Sequence, residues 1–275
     1  LTEERQMLQD TLRRYLADKY STDARNAIVD SDTGMSAEIW GELAELGVIG
    51  ALLSEDDGGF GGQGFDLAVV FEELGRAGVV EPFLDTAVLG AGLLAALGNA
   101  TQKALVEDVI GGGLQLALAH GEPAARFDLS HVETTAVSSG DNISLNGRKA
   151  VVVNAEAAGY LIVSARESGG VADREGISLF LVPSSTNGLS LRGYPMLAGG
   201  RAAEVTLDNV TVSLDARLGS AGAAMIALED AVARVNVALG AEALGAMETA
   251  VELTRDYLMT RKQFGRPIGS FQALA

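Results

Sequence analysis

The chain has 275 residues, 48% of them hydrophobic and 21% charged, which excludes a disordered chain and leaves room for two or three layers or subdomains. Lys and Arg number 20 against 37 Asp and Glu, and the resulting net charge of −17 disfavours nucleic acid or an anionic membrane as the main partner. There is no cysteine and only His120 and His131, so a disulfide scaffold, a cysteine nucleophile and a thiolate metal site are excluded and a multi-histidine metal centre is not expected.

Residues 1–112 read as a helical domain. Leu8, Leu12, Tyr15 and Leu16 form a helical stripe. Ser36 is placed to cap a second helix carrying Ile39, Trp40, Leu43 and Leu46, which Gly47 ends. Glu55-Asp56-Asp57-Gly58-Gly59-Phe60-Gly61-Gly62 is a loop, and helices are expected over 65–76, 85–97 and 101–110. Residues 1–110 carry 20 acids against 7 bases, most of the excess charge. The longest apolar runs are broken by charges or Gly, so no membrane span is expected. No signal peptide is visible and a cytoplasmic location is expected; the chain opens on Leu1, so its native start is expected upstream.

Residues 113–219 change to a β period. Short runs are predicted at Leu116 to Ala119, Thr134 to Val137, Ile143 to Leu145, Ala150 to Val153, Leu161 to Ala165, Ile177 to Val182 and Ala203 to Leu207. Gly140-Asp141-Asn142 and Asn146-Gly147 are turn signals between them, the second in the form favoured by hairpins. Their close spacing leaves no room for crossover helices and predicts a compact antiparallel barrel or sandwich.

Residues 220–275 begin with a Pro-free stretch from Ala221 to Thr260, read as one helix about 60 Å long. It is apolar most of the way round and needs neighbours on several sides, in its own chain or another. Only one further helix start follows, at Ser270 to Ala275, so the helical bundle is expected to be truncated. The fold class is thus α+β and multi-domain: helices, a β-domain, then the start of a helical bundle.

The densest basic stretch is Arg261-Lys262-Gln263-Phe264-Gly265-Arg266-Pro267-Ile268. Its bland reading is a basic helix end followed by a turn. Its sharper reading is a phosphate clamp of guanidinium, neighbouring amide and nearby helix N-terminus, with Phe264 as an apolar plate. This stretch, followed by Phe271-Gln272, resembles the C-terminal signature of the acyl-CoA dehydrogenases. Leu1 to Glu4, Trp40 to Gly50, Gly58 to Gly62, Leu145 to Lys149 and Gly176 to Pro183 resemble that family too. Tyr194-Pro195 and Gly200 to Val205 resemble in particular its pimeloyl-CoA dehydrogenase small-subunit type.

The resemblance implies FAD and the 2,3-dehydrogenation of an acyl-CoA thioester. In that chemistry a carboxylate removes the α-proton, the β-hydrogen leaves as hydride to flavin N5, and electrons pass to an electron-transfer flavoprotein. It implies Arg261, Gln263, Phe264 and Gln272 as FAD contacts. No catalytic base is assigned: Glu229, Asp230, Glu242, Glu248 and Glu252 all lie on the long helix, where amphipathic solvation or salt bridges to Arg234 and Arg255 explain them adequately. The family's substrate-contacting Arg falls on Asn236, with Arg234 two residues away.

The flavin-facing motifs depart from the family. The expected Thr-Glu-Pro and Gly-Ser-Asp stand as Gly121-Glu122-Pro123 and Arg126-Phe127-Asp128, so both hydroxyls are missing. The expected Trp-Ile-Thr stands as Val151-Val152-Val153, which reads first as a core strand. His120, beside them, is expected to be a satisfied polar residue at a strand end, and His131 a surface residue. An eroded flavin face beside an intact clamp favours a subunit that lends FAD-pyrophosphate contacts to a second acyl-CoA dehydrogenase subunit. The alternatives are a self-sufficient homo-oligomeric enzyme and a non-catalytic binding subunit. The cavity between β-domain and long helix is expected to set acyl size, and the acyl chain itself is not read from the sequence.

Overall fold

The computed structural model describes residues 1–273. Seven α-helices lie in it: α1 (Glu3–Lys19), α2 (Thr22–Val29), α3 (Ala37–Glu45), α4 (Gly64–Ala77), α5 (Gly92–Leu97), α6 (Ala100–Ile110) and α7 (Met225–Thr260). Caps set several starts: Thr2, Ser21, Ser36 and Asn99 each accept a backbone N–H of the first helical turn through the side chain. α2 escapes the sequence reading because it is short and has no buried residue, so only the Ser21 cap announces it. The region read as one helix from residue 85 opens as a π-helical segment, Leu84–Ala91, before continuing into α5.

The loop at 58–62 is held by backbone bonds. Gly59 donates to the Ser54 carbonyl, Phe60 to Gly50, Gly61 to Leu53 and Gly62 to Ala51. A Cβ at Gly59, Gly61 or Gly62 would collide with the Leu53 or Ala51 backbone, which is the reason for glycine there.

Eight strands lie between α6 and α7, β1 (Leu116–Ala119), β2 (Thr135–Ser139), β3 (Asn142–Val153), β4 (Tyr160–Arg166), β5 (Ile177–Pro183), β6 (Leu189–Pro195), β7 (Arg201–Ser213) and β8 (Arg217–Leu218), and two short ones follow α7, β9 (Lys262–Gln263) and β10 (Arg266–Pro267). The main sheet has the order β6-β7-β3-β2-β4-β5-β8, with β1 also on β4. It is mixed rather than wholly antiparallel, since β1 runs parallel to β4, and β2 meets β4 in a single parallel pairing at Thr135 and Arg166. No α-helix lies between β1 and β8.

Alternation along β4 explains the two cores. Leu161, Val163 and Ala165 join Ile143, Leu145, Val205 and Phe180 in one, while Ile162 joins Leu179 and the helical core on the other face. β4 and β5 are buried on both faces and read as continuous apolar runs for that reason.

Gly140-Asp141 forms the tight turn between β2 and β3, as predicted, with Ser139 opposite Asn142. Asn146-Gly147 is not a turn. It lies inside β3 at a register shift, where Gly147 passes so close to Thr134 that a Cβ would overlap it. β6 was not anticipated, because Arg192, Gly193 and Pro195 blur its period. Beyond α7, the helix expected at Ser270 is a short 3-10 turn at Ile268–Ser270 followed by a bend, and residues 274–275 of that prediction lie outside the described residues.

α7 crosses α4 in direct backbone contact. A Cβ at Gly75 would overlap the Glu242 carbonyl, and one at Gly245 the Glu72 carbonyl. Arg76 on α4 clasps Glu248 at 2.6 Å and Glu252 at 2.8 Å farther along α7, and Arg234 donates to the Gly62 and Leu52 carbonyls at 2.9 and 3.0 Å. Gly245→Ala is expected to lower stability by about 1–3 kcal/mol or more, since the helices must separate. Gly240→Ala on the same helix meets nothing within 4 Å and is expected to be neutral or stabilising by up to about 1 kcal/mol. Chemical denaturation of both variants checks the contrast.

Candidate functional site

A cavity of about 470 Å³ lies where the helical layer, the sheet and α7 meet. Its wall includes Met35, Phe71, Leu74, Phe83 and Leu84 from the helical layer, Val153 from β3 and Leu239 from α7. The polar part of the wall is mostly acidic. Glu81 is tied down, accepting from the Tyr20 hydroxyl at 2.8 Å and the Ser36 N–H at 3.0 Å. Glu156 pairs with Arg201 at 2.7 Å. Neither Asp85 nor Glu242 forms an ion pair among the described residues, and Asp85 accepts from its own backbone N–H.

Burial drives both carboxyls upward: Asp85 to about 7, against the lowering effect of its own backbone N–H, and Glu242 above the usual carboxylate range. Asp85 is surrounded by protein yet keeps some accessible surface, as a side chain facing an internal cavity does. The π-helical segment carries it there, a single acid in the apolar run from Phe83 to Val88. That isolation is its only sequence signal. Raising the Asp85 pKa makes the native state lose stability as pH rises from the ordinary carboxylate value to about 7. Asp85→Asn is therefore expected to raise Tm at pH 8 and to leave it nearly unchanged at pH 4, as scanning calorimetry would read.

Of the other acids on α7, Glu229 pairs with Arg174 at 2.6 Å, and Glu248 and Glu252 pair with Arg76. This corrects the expected pairing with Arg234 and Arg255. Arg234 instead holds the 58–62 loop, and Asn236 is exposed.

The β-domain motifs divide in a way the sequence did not reveal. Val151 is not a core residue. It sits at a second register shift of β3 with φ 53° and is 59% exposed, while Val152 is buried. Phe127 is fully exposed. Glu122 and Lys149 form a buried ion pair at 2.6 Å, with the Lys149 ammonium also donating to the Ser164 hydroxyl at 2.9 Å and the His120 carbonyl at 3.3 Å. Glu122 further accepts from the Thr134 hydroxyl and the Glu133 and Thr134 N–H groups. This network satisfies every charge it buries. His120 is buried against Ser164, Nδ1 to Oγ 2.9 Å, as a satisfied polar residue. His131 is a half-buried loop residue, 3.3 Å from Glu133.

Burial, then the Lys149 charge, lowers His120 to about 4. The unfolded chain binds that proton near 6.5, so stability is expected to fall between pH 6.5 and pH 4 by about 3 kcal/mol. His120→Gln should remove the slope in that window. Urea titrations at pH 7, 5.5 and 4.5 measure it.

Arg261 caps the C-terminus of α7, its N–H donating to the Tyr257 carbonyl at 2.8 Å. Gln263-Phe264-Gly265-Arg266 is a two-residue hairpin, with φ 53° at Phe264 and 80° at Gly265. A phenylalanine in that region costs about 1–2 kcal/mol, and this one is 92% exposed, held only by an edge contact to Phe271 at 6.2 Å. Arg266 lies 4.2 Å over the Phe271 ring. The side chains of Arg261, Gln263 and Gln272 are exposed. Arg261, Gln263 and Phe264 thus share one solvent-facing turn, far along α7 from the cavity-lining Leu239 and Glu242. Among the described residues no group of three or more His, Asp or Glu is arranged to hold a metal, and no helix is long and apolar enough to cross a membrane.

The chain matches the acyl-CoA dehydrogenase N-terminal domain over residues 2–108, the middle domain over 117–210 and the C-terminal domain over 222–275. It is 30% identical to the probable acyl-CoA dehydrogenase YngJ of Bacillus subtilis, over 100% of this chain and 73% of that protein. It is 29% identical to the caffeyl-CoA reductase-Etf complex subunit CarC of Acetobacterium woodii, over 100% of this chain and 73% of CarC. Other curated relatives, such as FadE12 of Mycobacterium tuberculosis, are matched over 63% of their length. Among solved structures, the Tcur3481-Tcur3483 steroid ACAD shares 34% identity at a TM-score of 0.85, over 99% of this chain and 71% of that one. The FAD complex of PigA shares 25% identity at a TM-score of 0.90, over 99% and 73%. The chain belongs to the acyl-CoA dehydrogenase family, whose members are FAD-dependent oxidoreductases.

Proposed function

We propose that this chain is one subunit of an FAD-dependent acyl-CoA dehydrogenase acting on a CH–CH bond of an acyl-CoA thioester, and that it lends pyrophosphate contacts to a partner subunit. Its three units, 1–112, 113–219 and 220–275, would then supply helical wall, sheet and clamp. The observation that carries the reading is an asymmetry. Arg261, Gln263 and Phe264 stand exposed on a turn beyond the end of α7, and none of them lines the cavity. The strand that would face a flavin in this chain offers only Val151, Val152 and Val153.

FAD would supply the hydride-accepting ring. Toward its phosphates this chain offers the Arg261 fork, the Gln263 amide and Gln272 from the segment beyond the hairpin, with Phe264 as an apolar plate. In a protein of net charge −17, a local cation is needed to offset repulsion of the pyrophosphate. The flavin-ring side fits poorly here, since Gly121 and Phe127 bring no hydroxyl and the bulged Val151 brings no hydrogen-bonding group. The name Tcur3481-Tcur3483 joins two components, and CarC is named as a subunit of an Etf complex, which supports a heteromer and an electron-transfer flavoprotein as acceptor. A covering partner also accounts for Met247, Val251, Leu253, Tyr257 and Met259, exposed along the last turns of α7. A self-sufficient homo-oligomer is the second reading, favoured by Val153 bordering the cavity as a flavin-face residue would.

Arg261→Ala is expected to weaken FAD retention by about 1.5–3 kcal/mol in the assembled complex, the contribution of a charge-assisted hydrogen bond. Arg261→Lys should restore part of it. Flavin content after gel filtration reads the effect, and full occupancy in Arg261→Ala would remove the clamp. Val153→Thr should leave the flavin spectrum unchanged, and a shift would favour the self-sufficient enzyme.

A further inference from the structure

Part of the cavity wall is the tip of a hairpin. β6 is the edge strand of the main sheet and pairs only with β7, so the turn that joins them, residues 196–200, is supported by the sheet from one side. Its base is fixed. Glu156 bonds Arg201 at 2.7 Å, and its carboxylate lies so close over Gly193 that a Cβ there would overlap it. Beyond that base the tip closes on itself, with Met196 donating to the Gly200 carbonyl and Gly199 to the Met196 carbonyl, both at 3.1 Å. Gly199 and Gly200 have φ 105° and 71°, a region that other residues enter only with strain. Leu197 is fully exposed on the tip, whereas Met196, Ala198, Gly199 and Gly200 line the cavity.

The tip reaches across to the helical layer. A Cβ on Gly199 would come within 2.9 Å of the Val29 side chain and 2.7 Å of the Val80 side chain, and one on Gly34 within 3.4 Å of the Gly200 Cα. Glycines make these contacts, so little apolar area holds them together. Among the described residues, the one hydrogen bond from the helical layer to the tip comes from Arg25. Its guanidinium donates to the Ala198 carbonyl at 2.8 Å and to the Gly78 carbonyl, at the end of α4, at 2.7 Å. α2, which carries Arg25, has no buried residue of its own.

We propose that the 196–200 tip is a strap across the entrance of the cavity and that Arg25 is its latch. Breaking the bond from Arg25 to Ala198 lets the tip swing on its fixed base, and that opening admits the guest. A segment held at its far end by one hydrogen bond and by glycine contacts opens at far lower cost than the sheet or the helices unfold. When the strap is closed it screens the apolar wall from water. Access through the strap is a property of the fold and does not depend on the acyl-CoA reading.

The chain has no cysteine, so a single one placed on the cavity wall reports access by itself. Leu84→Cys on the cavity wall, and Leu197→Cys on the exposed tip as reference, are treated with N-ethylmaleimide at pH 7 and followed by mass spectrometry. The Leu84→Cys thiol is expected to react at least 10-fold more slowly than the Leu197→Cys thiol. Adding Arg25→Ala should speed it at least 5-fold, and adding Arg25→Lys should speed it less. Gly199→Ala disturbs the same contact from the other side, pushing the tip off Val29 and Val80, and should also raise the rate. Arg5→Ala breaks the ion pair with Asp66 elsewhere in the helical layer and should leave the rate unchanged, which separates strap opening from general loosening. Circular dichroism identifies the variants that fold. A Leu84→Cys thiol as reactive as the Leu197→Cys thiol would overturn the strap. So would a rate unmoved in whichever of Arg25→Ala and Gly199→Ala folds, or an equal rise with Arg5→Ala.

Discussion

The backbone contact between α4 and α7 is the constraint on which the rest depends. Gly75 and Gly245 let the two helices approach until Gly75 lies against the Glu242 carbonyl and Gly245 against the Glu72 carbonyl, a distance no side chain would permit. That approach brings Leu239 and Glu242 over the helical layer and closes the cavity against Val153. It also sets the direction of the last turns of α7. Beyond the Arg76 clasp the helix keeps exposed apolar residues and ends in the 261–266 turn. The cavity lies against the middle of α7 and the turn beyond its end.

Polar groups in the two halves of the molecule are handled in opposite ways. In the β-domain, Glu122, Lys149, Ser164 and His120 are buried together and satisfied, and Arg166 donates to the carbonyls of Ser130, Val132, Ser168, Val171, Asp173 and Glu175. These networks fix loop positions and leave nothing over for a ligand. At the turn, the Arg261 side chain and Phe264 at positive φ are exposed, the latter with only an edge contact to Phe271. Unpaired groups and strain concentrate where binding is expected, and they cost stability that the two cores must offset.

Much of this was legible in residues. The change of period near 113, the long Pro-free helix and the family motifs predict helices, then strands, then one long helix, the order that the structure has. What escaped depended on distance in sequence or on context. Asn146-Gly147 has the chemistry of a hairpin but lies within β3, because pairing with β7 on one side and β2 on the other outweighs its local turn preference. Val151 reads as a core valine, and only the register shift turns it outward. The partners of Glu229, Glu248 and Glu252 lie on Arg174 and Arg76, far away in the chain, where no helical spacing points. Asp85 and Glu242 each stand as single acids in apolar or small-residue stretches, a signal that gains meaning once the fold places them in one cavity.

The central claim is that the clamp of this chain serves a flavin held by another subunit. Flavin per protomer measures it most directly: FAD is quantified by absorbance after gel filtration, for the chain alone and for the chain co-purified with a second acyl-CoA dehydrogenase subunit. The account predicts no stoichiometric FAD on the chain alone and retained FAD in the complex. One FAD per protomer on the chain alone would contradict it.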